Sequence, residues 1–92
     1  MNNEVKAKEG FLKAEYEIEA PGLNKGNTII HIDTEESLIQ IGMKRNEKEA
    51  TNIQISIPTR YDLKETVANI VDGIISIKVP TKEGVVQTVE IE

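Results

Sequence analysis

Apolar and polar residues alternate along most of the chain, from Leu12 to Val79, and turn residues interrupt the alternation at near-regular intervals. A period of two residues is typical of β-strands with one buried and one exposed face. In the segment 12–20, five apolar residues alternate with one Lys and three Glu residues. This segment predicts a half-buried strand, which Pro21 and Gly22 end.

The next segment, 28–33, is apolar on both faces. Ile30 and Ile32 point to one side of the predicted strand, and Ile29 and His31 point to the other. Because neither side is wholly polar, we expect other parts of the protein to cover both faces of this strand.

Three later segments, 38–44, 52–58 and 74–79, repeat the alternation. A hairpin through 33–38 joins the first of them to the preceding strand, and the charged stretch 44–52 is a loop candidate. The residues predicted to face the core are Leu12, Tyr16, Ile18, Ile30, Ile32, Ile39, Ile41, Ile55, Ile57, Ala68, Ile70, Ile75, Ile77 and Val79.

Two connections in the second half of the chain are informative. The stretch 59–66 is compatible with a helical turn or an extended crossover, and we favour the crossover because alternation resumes directly after it. Asp72 and Gly73 lie between two alternating runs and tolerate the positive φ angles of a tight hairpin. Several short strands with no amphipathic helix predict an all-β fold with a two-sheet β-sandwich.

Composition refines this picture. Ninety-two residues suffice for a single domain, and with 38% hydrophobic but 3% aromatic residues its core must consist mainly of Ile, Val, Leu and Ala. The net charge of −5 argues against nucleic acid as a partner, and no Cys is present for a disulfide. No signal peptide or long apolar run is found, so we expect a cytoplasmic protein without membrane contact.

The sequence offers no group of residues with the spacing of a catalytic, cofactor or metal site. His31 is the only histidine and has no Cys near it, so it is interpreted as an ordinary strand residue. The glutamates of 15–19 belong to an exposed strand face, and the serines have no histidine at the spacing of a nucleophile motif. We therefore expect no enzyme activity and no cofactor.

The stretch 68–80 reads A-x-x-x-D-G-I-I-x-I-x-V-P, which resembles the signature of the α-crystallin domain of small heat-shock proteins. Three further segments occur in the family's order: 16–27, 37–45 and 53–66. The resemblance covers about residues 4 to 92. It implies an all-β, immunoglobulin-like two-sheet β-sandwich of the α-crystallin type over about 4–80 and a tail over 81–92. The residues that carry the signature most directly are Ala68, Asp72, Gly73, Ile74 and Ile75.

The tail contains a second family feature, since Val89-Glu90-Ile91 resembles the I-x-I/V anchor that docks in a hydrophobic groove of a neighbouring domain. Residues two apart in an extended segment point the same way, so Val89 and Ile91 can enter one groove together. The resemblance implies a groove between the strands around 27–33 and 65–71, with groove candidates Ile29, His31, Val67 and Val71. A final edge strand, or docking within its own domain, remains an alternative for this tail.

Two departures from the family pattern affect the expected assembly. Only a few polar residues precede the first strand, where family members have a long apolar arm. The interval 45–52 is too short to exchange a strand between partners, so a strand-swapped dimer is not expected.

The resemblance implies a minimal small heat-shock protein that holds partly unfolded client proteins without ATP. It would self-associate through tail-in-groove docking into a dimer or small oligomer. The alternative is an interaction or assembly module with the same fold and no general chaperone activity.

Overall fold

A computed structural model describes residues 4–85 and 89–92 of the chain. The strands are β1 (Val5–Glu9), β2 (Lys13–Glu19), β3 (Thr28–Asp33), β4 (Leu38–Lys44), β5 (Ala50–Ser56), β6 (Val67–Val71) and β7 (Ile74–Pro80). Two 3-10 turns, Lys25–Asn27 and Leu63–Glu65, precede β3 and β6. Neither turn has the length or hydrophobicity of a membrane-spanning helix, and the described residues contain no other helical element.

The strands form two antiparallel sheets. The four-stranded sheet has the order β1-β2-β7-β6, and the three-stranded sheet has the order β3-β4-β5. One cluster of buried side chains from both sheets fills the space between them. The prediction of an all-β, two-sheet sandwich is therefore confirmed.

Alternation places the core residues as predicted in the central strands, because paired residues of neighbouring strands share a face. The buried apolar residues are Ala14, Tyr16, Ile18, Ala20, Leu23, Ile39, Ile41, Met43, Ile55, Ile57, Tyr61, Leu63, Ile75, Ile77 and Val79. Five predicted core residues are not in this set. Ile30 and Ile70 are only partly buried against the core, and Ala68 is exposed, because β3 and β6 are edge strands. Leu12 is 69% exposed because it lies in the turn before β2, and Ile32 is 41% exposed because β3 is an edge strand.

Three local elements differ from the sequence-based interpretation. The alternation of Val5 and Ala7 with two lysines forms an additional strand, β1, which pairs with β2. The charged loop is shorter than predicted, since β4 and β5 pair up to Lys44 and Ala50. The crossover from β5 to β6 contains the turn Leu63–Glu65.

The end of β7 is held by hydrogen bonds to the turn between β1 and β2. The backbone N–H of Thr81 donates to the carbonyl of Leu12 at 2.9 Å. Its hydroxyl donates to the carbonyl of Phe11, also at 2.9 Å. The buried Tyr61 donates its hydroxyl to the carbonyl of Gly10 at 2.6 Å. These bonds fix the point at which the chain leaves the sandwich.

Candidate functional site

A narrow concavity, called the furrow below, lies between β3 and β6, which are edge strands of different sheets. Its volume is about 190 Å³, below the ~300–1,000 Å³ of typical small-molecule sites. The furrow is lined by Lys25, Thr28, Ile30, Ala68, Asn69, Ile70 and Ile75. Its size and mainly aliphatic lining suit the insertion of apolar side chains.

The floor of the furrow is formed by the fully buried Ile75, and its two walls by Ile30 and Ile70. Both wall residues are partly buried and pack against the core. In the wall, the hydroxyl of Thr28 is buried and makes no hydrogen bond to any described residue. A buried hydroxyl without a partner is unfavourable, so a polar backbone group of an inserted segment would be stabilised there.

Each strand beside the furrow has one free backbone edge among the described strands. β3 pairs only with β4, and β6 pairs only with β7. An extended peptide could therefore hydrogen-bond to either edge while it inserts alternate side chains into the furrow.

The four predicted groove residues lie on the two flanking strands, but they point away from the furrow. Ile29 and His31 stand opposite Gly42 and Gln40 on the outer face of the three-stranded sheet. That face is not covered as expected, since Ile29 is 61% exposed.

On the other side of the furrow, Val67 and Val71 are 64% and 61% exposed. They stand opposite Lys78 and Ile74, on the outer face of the four-stranded sheet. The sequence identified the two strands, but most of the lining on them is formed by residues one position along, Ile30, Ala68 and Ile70. Asn69 also lines the furrow, although it lies on the same face of β6 as Val67 and Val71. The exposed apolar residues Ile29, Val67 and Val71 are called the rim residues below.

The signature residues build the β6–β7 hairpin that forms one wall. Asp72 and Gly73 have φ angles of 51° and 75°, as expected for a tight turn. A Cβ at position 73 would lie 3.1 Å from the carbonyl oxygen of Ala20. Within the hairpin, Ala68 and Ile75 face the furrow, and Ile74 is paired with Val71 on the outer face.

The predicted tail anchors lie outside the furrow. Val89 and Ile91 are 80% and 94% exposed, so the tail is not docked in this structure. Residues 86–88 of the predicted tail, like residues 1–3 of the predicted domain, lie outside the described residues.

The outer face of the four-stranded sheet near β1 and β2 has a different character from the furrow. A depression there is lined by charged side chains, among them Lys6, Lys8, Glu15 and Glu17. Lys13 lies 3.1 Å from the Glu15 carboxylate, and its hydrogen bond lowers the pKa of Glu15. In the described ranges no three His, Cys, Asp or Glu side chains are grouped as metal ligands.

Comparisons with known proteins support one family. No protein-family model matches the chain. The small heat shock protein C4 of Rickettsia felis is 33% identical over 80 residues, covering 73% of this chain and 49% of that protein. The chain therefore spans about half the length of this curated relative.

Solved structures share the fold at lower sequence identity. A small heat-shock protein from Xylella fastidiosa is 15% identical with a TM-score of 0.80, covering 100% of this chain and 97% of that chain. Heat shock protein 16.0 from Schizosaccharomyces pombe is 19% identical with a TM-score of 0.75, covering 97% and 82%. These likenesses establish a common sandwich.

Proposed function

Since the chain carries an α-crystallin domain of the small heat-shock protein family, we propose that it holds partly unfolded proteins without ATP and so prevents their aggregation. Binding needs no catalytic group, and no cofactor enters this proposal. The proposed location is the cytoplasm.

The furrow is the observation that carries the proposal. It combines an aliphatic lining with two strand edges whose backbone groups are unpaired among the described strands. Unfolding proteins expose apolar strands with unsatisfied backbone groups, which pair readily with other edges. A furrow of this kind can cover such a strand and thereby prevent it from pairing with other unfolded chains.

The test is suppression of heat-induced aggregation of a model client at near-stoichiometric ratio. Ile70→Thr removes apolar contact in the furrow wall and should reduce suppression. Ile53→Thr is the matched control, since Ile53 is also partly buried against the core but lies on β5, away from the furrow. Equal activity of the two variants, at equal stability, would contradict the assignment of the furrow.

The tail is proposed to dock in the furrow of its own or another copy through Val89 and Ile91, giving a dimer or small oligomer. The similar small heat-shock protein from Xylella fastidiosa has a distinct high order structure, which supports self-association as the general mode.

Replacing Val89 and Ile91 together with Ala should lower the mass measured by light scattering, or raise the binding of an apolar dye. Glu90→Gln is the control, since it keeps both anchors. If neither mass nor dye binding changes in the double variant, the tail does not occupy the furrow.

The small volume of the furrow favours a second candidate, a module that binds one defined segment in an assembly. Such a module would bind the tail peptide but leave the aggregation of unrelated clients unchanged. The aggregation assay therefore separates the two functions.

A further inference from the structure

The two strands beside the furrow carry apolar residues on both sides. On the inner side, Ile30 and Ile70 line the furrow. On the outer side, the rim residues Ile29, Val67 and Val71 are each more than 60% exposed. β6 contains no charged residue at all, in contrast to β2, whose outward positions are Lys13, Glu15, Glu17 and Glu19.

A strand docked on the free edge of β6 would continue the four-stranded sheet, and its side chains would alternate between two surroundings. Those on one side would enter the furrow beside Ile70. Those on the other side would stand next to Val67 and Val71, at the ~4.5–5.5 Å separation of paired Cβ atoms. Both sides of such a strand would therefore meet apolar surface.

The chain's own tail matches only one of these two surroundings. When Val89 and Ile91 enter the furrow, Glu90 points to the outer side, towards the rim residues. Lys78 is opposite Val67 on β7, which places it one strand further away, at roughly 10 Å from a docked strand. The Glu90 carboxylate would thus stand beside Val67, Asn69 and Val71. β6 itself carries no cation, and Lys25 lines the furrow on the other side.

We propose that the furrow and the rim residues together select strands that are apolar on both faces, and that the tail is a weaker occupant which such strands displace. Strands of this kind occur in the centre of buried parallel sheets, where both faces are covered by helices. The preferred clients are accordingly unfolding α/β proteins. This inference rests on the proposed function of the furrow and specifies its ligand.

The test uses the full-length chain and three labelled peptides with the sequence of residues 85–92. They differ only at the position of Glu90, which is Glu, Gln or Val. We expect the Val peptide to bind about tenfold more tightly than the Glu peptide, since one additional apolar side chain is buried. The Gln peptide separates loss of charge from gain of apolar contact and should bind with intermediate affinity.

The double variant Val67→Thr/Val71→Thr keeps β-branched residues in β6 but removes apolar surface from the rim. The Val and Gln peptides should bind to this double variant with similar affinities. Leu12→Thr is the control: Leu12 is 69% exposed in the turn between β1 and β2, and its replacement should leave the preference unchanged.

The outcomes separate the two proposals. Equal affinity for all three peptides, or a Val preference that persists in the rim variant, would overturn the selection of two-faced strands while leaving the furrow as a binding site. Failure of every peptide to bind would reject the furrow itself, and the present inference with it.

Discussion

In the centre of the sandwich β2 and β7 pair along seven residues, and alternation separates their faces cleanly. Ile18 and Ile77 are fully buried there, while Glu17 and Lys78 point to the outer face. At the margin, β3 and β6 carry apolar residues on both faces, and all of those residues except Ile30 and Ile70 are exposed. The comparison indicates that Ile and Val stabilise the fold in the centre, whereas at the margin they form the exposed surface to which we propose that a partner binds.

The largest expected effect is on the central strands. Ile77→Ala removes a fully buried side chain between the sheets and should lower the free energy of unfolding by about 2–5 kcal/mol. Urea denaturation measures this change. A loss below about 1 kcal/mol would mean that the centre is packed more loosely than the burial indicates.

The turn that joins the centre to the margin should be the next most sensitive. Gly73→Val introduces a β-branched residue at a φ of 75° and brings its Cβ to 3.1 Å from the backbone of Ala20 and Pro21. We expect a loss of about 1 kcal/mol or more in thermal unfolding. Gly84→Val is a useful control, because nothing lies within 4 Å of a Cβ there although φ is also positive.

The pH dependence of stability provides a second test of the central strands, through the buried Tyr16 on β2. Burial raises the pKa of the Tyr16 hydroxyl above its usual 10.0, and the nearby Glu9 carboxylate raises it further. The folded protein therefore keeps a proton that the unfolded chain releases, so stability should fall as the pH rises above about 10. Tyr16→Phe should remove this contribution. The stability of the wild-type protein relative to the variant should therefore decrease as the pH rises above about 10. A difference that stays constant up to about pH 11 would contradict this assignment.

The smallest effect on stability is expected at the margin. Val67→Ala changes an exposed side chain and should alter the free energy of unfolding by less than about 0.5 kcal/mol. It should nevertheless reduce binding of an apolar dye, because Val67 belongs to the rim. A stability loss comparable to that of Ile77→Ala would remove the distinction between centre and margin.

The sequence predicted the fold well where one face of a strand is uniformly polar. In 12–20 and 74–79 the pattern is consistent with only one set of inward residues. In the structure these residues are buried, apart from Leu12. In β3 and β6 both faces are apolar, so the pattern identifies the strands but not which side faces the furrow. The groove candidates accordingly fell on Ile29 and Val67, whose neighbours Ile30 and Ala68 line it.

Two other features could be predicted from the sequence only in part. Tyr61 and Leu63 are core residues of the crossover, and their spacing of two residues continues the alternation through it. The furrow itself depends on two edge strands from different sheets lying side by side. Such a placement follows from the packing of the sheets, which local periodicity does not encode.

Hydrogen bonds hold Thr81 against the turn between β1 and β2, so the segment after Thr81 is attached to the sandwich at a fixed point. A chain of nine residues spans at most about 26–29 Å from its first to its last Cα, so Val89 must lie within that distance of Thr81. A furrow that Val89 and Ile91 can reach from this attachment point would encounter them at a high effective concentration. A furrow beyond their reach would not encounter them through this connection. Lengthening or shortening this segment should therefore shift the proposed competition between tail and client without changing either binding surface.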